Sequence, residues 1–171
     1  IEKGNALEAI EDNKGLKRLD VTNPDAKALN LEKKSDAPSN ISTGDAMVAY
    51  EQAFSLLRQA DYDGAEKAFS SYLKNYPDHE LSANAQYWLS ETYYVRGDYD
   101  KAAQGFAKGY QKYPDSPKIA DNLLKLGLSL SSLKKTEEAC VTLKQLDQQV
   151  KDAPAPIKHR ADQEKEKLGC E

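Results

Sequence analysis

Residues Gly97-Asp98-Tyr99-Asp100-Lys101-Ala102 restate Ala60-Asp61-Tyr62-Asp63-Gly64-Ala65 at an offset of 37 residues. Tyr113-Pro114-Asp115 restates Tyr76-Pro77-Asp78 at the same offset. Internal self-similarity at a fixed period of this size constrains the fold more than any composition does, because it marks a helical repeat. A weaker third copy keeps phase: Ala65, Ala102 and Ala139 align, as do Phe69, Phe106 and Leu143, and Tyr50, Tyr87 and Leu124.

Within a copy, Tyr87, Glu91 and Tyr94 share a helical face, and Leu89 and Tyr93 share another. The turn Arg96-Gly97-Asp98 follows. Gly97 suits the left-handed position that ends a helix, and the Asp98 carboxylate suits the cap of the next one. A second helical run then holds Tyr99, Ala102, Ala103, Phe106 and Tyr110, and it stops before Pro114. Each copy is therefore a helix-turn-helix pair. A single pair leaves an apolar face bare, so neighbours must stack on it, and about three pairs are the minimum for a stable array. The phase predicts helices near 46–59, 62–75, 82–96, 99–112, 117–132 and 136–150, plus a capping helix near 155–168, with no strand pairing. Ser116 is expected to cap the fifth helix and Pro117 to open it. Gly105 and Gly109, inside a helix, are read as relieving crowding against a neighbour.

The pattern resembles the tetratricopeptide repeat: Leu89, Ser90, Tyr93, Gly97, Tyr99, Ala102, Phe106 and Pro114 match its consensus. That resemblance implies an all-α tetratricopeptide-repeat superhelix of three pairs plus a C-terminal capping helix. Two domains are expected: a flexible N-terminal extension or linker over residues 1–45, and the repeat domain over 46–171. All the aromatic residues lie between Tyr50 and Tyr113, so residues 1–45 hold little to pack. A short helix over 5–19 is conceivable there, but no heptad persists.

The formal net charge is −4, and basic residues are interspersed with acidic ones. This argues against nucleic acid, which requires a cationic face. No apolar run approaches the ~20 residues that span a bilayer. Without an initiating Met or a signal-peptide pattern, the chain reads as a processed or cut product. No serine sits in a nucleophile elbow. His79 and His159, far apart and without partners at ligand spacing, read as surface residues rather than a metal site. No catalytic group, metal or cofactor is expected. Cys140, early in the last repeat helix, and Cys170, after a helix that returns antiparallel, can meet as a disulfide. The alternative is two buried or free thiols.

First helices of such pairs line the concave groove where arrays of this kind bind. The candidate protein-binding residues there are Tyr50, Phe54, Asn84, Tyr87, Glu91, Tyr94, Asp121 and Leu124, with Met47, Leu57 and Leu128 also expected to be exposed. Tyr-rich surfaces suit capture of a peptide or helix. Arrays that clamp chaperone C-termini use Lys, Asn and Arg in this groove. The corresponding positions hold Tyr50, Phe54, Trp88, Asp121 and Lys125, four of the five of the wrong type, which argues against that ligand.

Two longer stretches narrow the resemblance. Asn84-Ala85-Gln86-Tyr87-Trp88-Leu89-Ser90-Glu91-Thr92-Tyr93-Tyr94 and Leu123-Leu124-Lys125-Leu126-Gly127-Leu128 are similar to the C-terminal repeat domain of the YbgF/CpoB family of Tol-Pal system proteins, as are Glu137-Glu138-Ala139-Cys140 and Leu168-Gly169-Cys170. The resemblance covers about residues 46–170. It implies a periplasmic, non-enzymatic scaffold that partners TolA and a bifunctional peptidoglycan synthase, coordinating septal peptidoglycan synthesis with outer-membrane constriction in cell division. Family members trimerise through an N-terminal coiled coil, so a trimer is expected only where that coil is present. The alternative reading is a repeat adaptor of outer-membrane protein assembly; such lipoproteins are anchored through a lipidated N-terminal Cys, and no Cys lies near Ile1.

Overall fold

The computed structural model describes residues 43–171. The expectations for a linker over 1–45 and a helix over 5–19 fall almost wholly outside the described residues. Seven helices make up the described part, with no strand among them: α1 Thr43–Arg58, α2 Tyr62–Asn75, α3 Ser82–Val95, α4 Tyr99–Lys112, α5 Ile119–Ser132, α6 Thr136–Gln149 and α7 Ala155–Leu168. The second helices α2, α4 and α6 begin 37 residues apart, as do α3 and α5. Consecutive helices pack against each other, and α7 lies against both α5 and α6.

The turn inside each pair follows one hydrogen-bond scheme. Asp61 N–H donates to the Leu56 carbonyl at 3.0 Å, Asp98 to Tyr93 at 3.0 Å, and Lys135 to Leu130 at 2.9 Å. These are the bonds that close a helix on a left-handed residue. That residue is Ala60 (φ 59°), Gly97 (φ 77°) and Lys134 (φ 63°) in the three copies. Asp61 then caps α2 by accepting from Gly64 N–H at 3.0 Å, and Asp98 caps α4 by accepting from Lys101 N–H at 3.4 Å. The third copy has Lys135 at this place, which has no acceptor, so α6 starts without a side-chain cap. Helix α7 ends on the same closing scheme at Gly169 (φ 67°).

The in-phase small and large residues do form the core. Ala65, Ala102 and Ala139 are fully buried, and so are Phe69, Phe106 and Leu143. Burying each of these large side chains contributes about 1.5–3 kcal/mol. The close crossings are visible at the glycines. A methyl on Gly105 would stand 2.3 Å from Ser90 Oγ on α3, and one on Gly127 would stand 2.5 Å from Leu143 on α6. Gly109 likewise lies against Asn122 of α5.

Three expectations are corrected here. Helix α1 starts at Thr43, three residues early. Helix α5 starts at Ile119, because Ser116 spends its hydroxyl on a local turn, accepting from Lys118 N–H at 3.0 Å. His79 occupies the equivalent turn one period earlier and is half-buried rather than on the surface. Its Nδ1 accepts from Leu81 N–H at 3.2 Å and pairs with the Tyr72 hydroxyl at 2.9 Å. His159 is exposed, as read from the sequence.

At the C-terminus, Cys140 on α6 and Cys170 just past α7 are joined in a disulfide, with Cα atoms 5.5 Å apart. The link closes a separation of 30 residues and ties α7 down.

Candidate protein-binding face

The first helices α1, α3 and α5 lie side by side, and their shared face carries a continuous row of aromatic and charged groups. On α1 the Tyr50 and Phe54 rings stack one helical turn apart, with centroids at 6.3 Å. Phe54 meets Trp88 of α3 at 5.1 Å, and the Arg58 guanidinium lies 5.6 Å from the Phe54 centroid. Trp88 meets Tyr87 edge-on at 5.0 Å. The Lys118 ammonium, just ahead of α5, sits 4.8 Å from the Tyr87 ring and 5.6 Å from the Trp88 ring.

Further along the seam between α3 and α5, Lys125 donates to Glu91 Oε1 at 2.8 Å and lies 4.3 Å from the Tyr94 centroid. Lys118 pairs with Asp121 at 3.7 Å. The second Glu91 oxygen is buried with no hydrogen-bond partner. The pair is thus half withdrawn from water, where attraction is stronger but breaking it costs more.

Burial, above all, raises the phenol pKa values of Tyr50, Tyr87 and Tyr94; at Tyr87 and Tyr94 nearby charges including Glu91 add to it. All three therefore remain neutral, with hydroxyls able to donate. The face offers rings, neutral hydroxyls and a few paired charges. Groups of this kind can make ring contacts and hydrogen bonds to a polypeptide. Among the described residues no group of three or more His, Cys, Asp or Glu is placed to hold a metal, and no helix is long and apolar enough to cross a membrane.

The structure divides the eight candidate residues. Tyr50, Phe54, Asn84, Glu91, Tyr94 and Asp121 keep part of their surface. Tyr87 and Leu124 do not; they are 6% and 8% exposed. Tyr87 turns from the face into the core, where its ring lies 5.6 Å from Phe106 of α4. Leu124 packs in the cluster around Leu143 and Leu146, and Leu128 is buried there too. Met47 is exposed and Leu57 is half-buried. Three residues outside the candidate set, Trp88, Lys118 and Lys125, contribute contacts across the face. Their signal in the sequence was position alone: Trp88 and Lys125 stand where other arrays place ligand-binding side chains.

The architecture and this face define a repeat array of the helix-turn-helix type. The chain belongs to the tetratricopeptide-repeat family, whose models match residues 50–117 and 121–152, more than half of the chain between them. Within the repeats, one stretch is similar to proteins named CpoB. It is 44% identical over 48 residues to a Pseudomonas putida protein named cell division coordinator CpoB, covering 28% of this chain and 18% of that protein. A second Pseudomonas putida sequence of the same name matches to the same extent. The match thus spans less than a fifth of the length of these relatives.

Proposed function

We propose that this chain is a non-enzymatic, periplasmic protein-binding scaffold of the Tol-Pal system. In this reading it coordinates septal peptidoglycan synthesis with outer-membrane constriction during cell division. One observation carries it: the row Tyr50, Phe54, Trp88, then Glu91 with Lys125, crosses three helices on a single face. A row of that length suits an extended segment or a helix from a partner, with the rings as anchors and the paired charges setting register. Similarity to a protein named as a cell division coordinator supports the cellular role, and TolA is the proposed partner.

Calorimetric titration of the purified protein with TolA tests this reading. Phe54→Ala and Trp88→Ala are expected to weaken binding about tenfold or more, in line with the ~1–3 kcal/mol that aromatic anchors carry. The face is the wrong surface if both variants fold normally and bind TolA as wild type does. Capture of outer-membrane barrel-assembly subunits in place of TolA would instead favour an assembly adaptor. Tyr87→Ala is unsuited to this test, since a buried ring of this size costs about 3–5 kcal/mol of stability when removed.

A further inference from the structure

The turns that close the first and second repeats differ in a way that leaves a cleft. At the first, the Tyr113 hydroxyl donates to the Pro77 carbonyl oxygen at 3.0 Å. The Lys112 ammonium donates to the same oxygen at 3.2 Å and lies 5.2 Å from the Tyr113 centroid. The end of α4 thus plugs the prolyl turn of the repeat before it. One period later the equivalent residues are Gln149 and Val150 at the end of α6, facing Pro114 in place of Pro77. Valine has no donor and lacks the volume of a phenol ring. The Gln149 amide is turned to the Tyr110 hydroxyl, from which it accepts. What remains is a cleft of about 360 Å³ walled by Tyr110, Gln111, Pro114, Ile119, Gln149 and Val150. That volume lies within the range of sites that hold small ligands.

The first junction shows what such a turn accepts: a phenol side chain with its hydroxyl on the proline carbonyl. We propose that the cleft at Pro114 is a docking site for a tyrosine side chain of a partner polypeptide, held as Tyr113 is held at Pro77. The site lies at the inter-repeat turns, apart from the aromatic row on the first helices. It adds a second point of attachment with its own chemistry. The walls fit this occupant: Ile119, Pro114 and Val150 supply apolar contact for the ring, and the Pro114 carbonyl is the counterpart, one period on, of the Pro77 carbonyl that accepts from Tyr113.

The test uses N-acetyl-tyrosinamide as probe and amide chemical shifts of the labelled protein as readout. A probe of this size should bind with a dissociation constant of about 1–10 mM. Shifts are expected at Gln111, Asp115, Gln149 and Val150. N-acetyl-phenylalaninamide, which lacks the hydroxyl, should bind about three- to tenfold more weakly, the worth of one hydrogen bond. Val150→Tyr should plug the cleft, abolish the shifts and raise the melting temperature. The reciprocal variant, Tyr113→Val, should open a second site and add shifts beside Pro77. The proposal is overturned by absence of shifts at these residues, by equal binding of the two compounds, or by shifts that persist in Val150→Tyr. If one variant fails to fold, the other decides: a Tyr113→Val protein that gains no site also sinks the proposal.

Discussion

Lys125 on α5 and Glu91 on α3 meet at 2.8 Å across the seam between adjacent repeats, both largely withdrawn from solvent. The other Glu91 oxygen is buried without a partner, so the carboxylate depends on this lysine. Removing Lys125 leaves a buried, uncompensated charge. Lys125→Ala is expected to cost about 2–4 kcal/mol in urea denaturation. Replacing the pair together, Glu91→Leu with Lys125→Met, should cost under about 1 kcal/mol. A double variant as unstable as Lys125→Ala would show that the pair itself, and not the orphaned carboxylate, carries the stability.

The left-handed residue of the intra-pair turn is glycine only in the middle copy. A side chain in this conformation costs roughly 1–2 kcal/mol, partly offset by the chain entropy that glycine adds to the unfolded state. Lys134→Gly is therefore expected to stabilise the protein by about 0.5–1 kcal/mol, and Gly97→Ala to destabilise it by about 1 kcal/mol. Thermal unfolding of both variants measures the pair of shifts, and equal signs would contradict the account.

Glu164 on α7 is 2% exposed, yet it stays ionised. Burial alone would raise its pKa, but hydrogen bonds from Lys167 at 2.8 Å and Ser131 at 2.6 Å, with the charge of Arg160, outweigh burial and lower it. A depressed carboxylate pKa contributes stability above its unfolded value, near 4.5, and that contribution is lost as pH falls through the folded value. Stability should thus decline with acidification below about pH 4.5, and Glu164→Gln should flatten that limb while lowering stability at neutral pH. Urea midpoints measured from pH 3 to 7 provide the check; an unchanged acid limb in Glu164→Gln would assign the loss to other carboxylates.

The Cys140–Cys170 link holds α7 over α5 and α6. Closing a loop of 30 residues is worth about 3–4 kcal/mol by chain entropy. Cys140→Ser with Cys170→Ser should lower the unfolding free energy by roughly this amount. In native, oxidised protein, mass spectrometry should find no free thiol; two free thiols would remove the basis for this prediction.

Much of the fold was legible in the chain itself. The 37-residue phase of Ala65, Ala102 and Ala139 places small residues where two helices cross. Asp61 and Asp98 announce a helix start, and Gly97 announces the preceding stop. These signals are local: each is fixed by backbone geometry within one pair, so a single sequence holds them.

The candidate face was only half legible, because a first helix is covered twice, by its own partner and by the next repeat. Periodicity puts Tyr87, Glu91 and Tyr94 on one face of α3. It does not say where the next repeat's edge falls across that face. Packing within the pair draws Tyr87 into the core beside Phe106, while Glu91 is left at the seam with the next repeat to meet Lys125. Leu124 is drawn inside for the same reason. Trp88, adjacent to Tyr87 in sequence, emerges against Phe54 because α1 and α3 cross there. The Pro114 cleft exists only because Val150 is too small to repeat what Tyr113 does one period earlier. The helices and their turns were readable from the chain, since those depend on contacts within a few residues, and the repeat was readable from its 37-residue phase. Which rings are core, which are surface and where a hollow remains follow from tertiary packing, since each depends on residues distant in sequence meeting across a helix crossing, within a pair for Tyr87 and Phe106 and between repeats for Phe54 and Trp88.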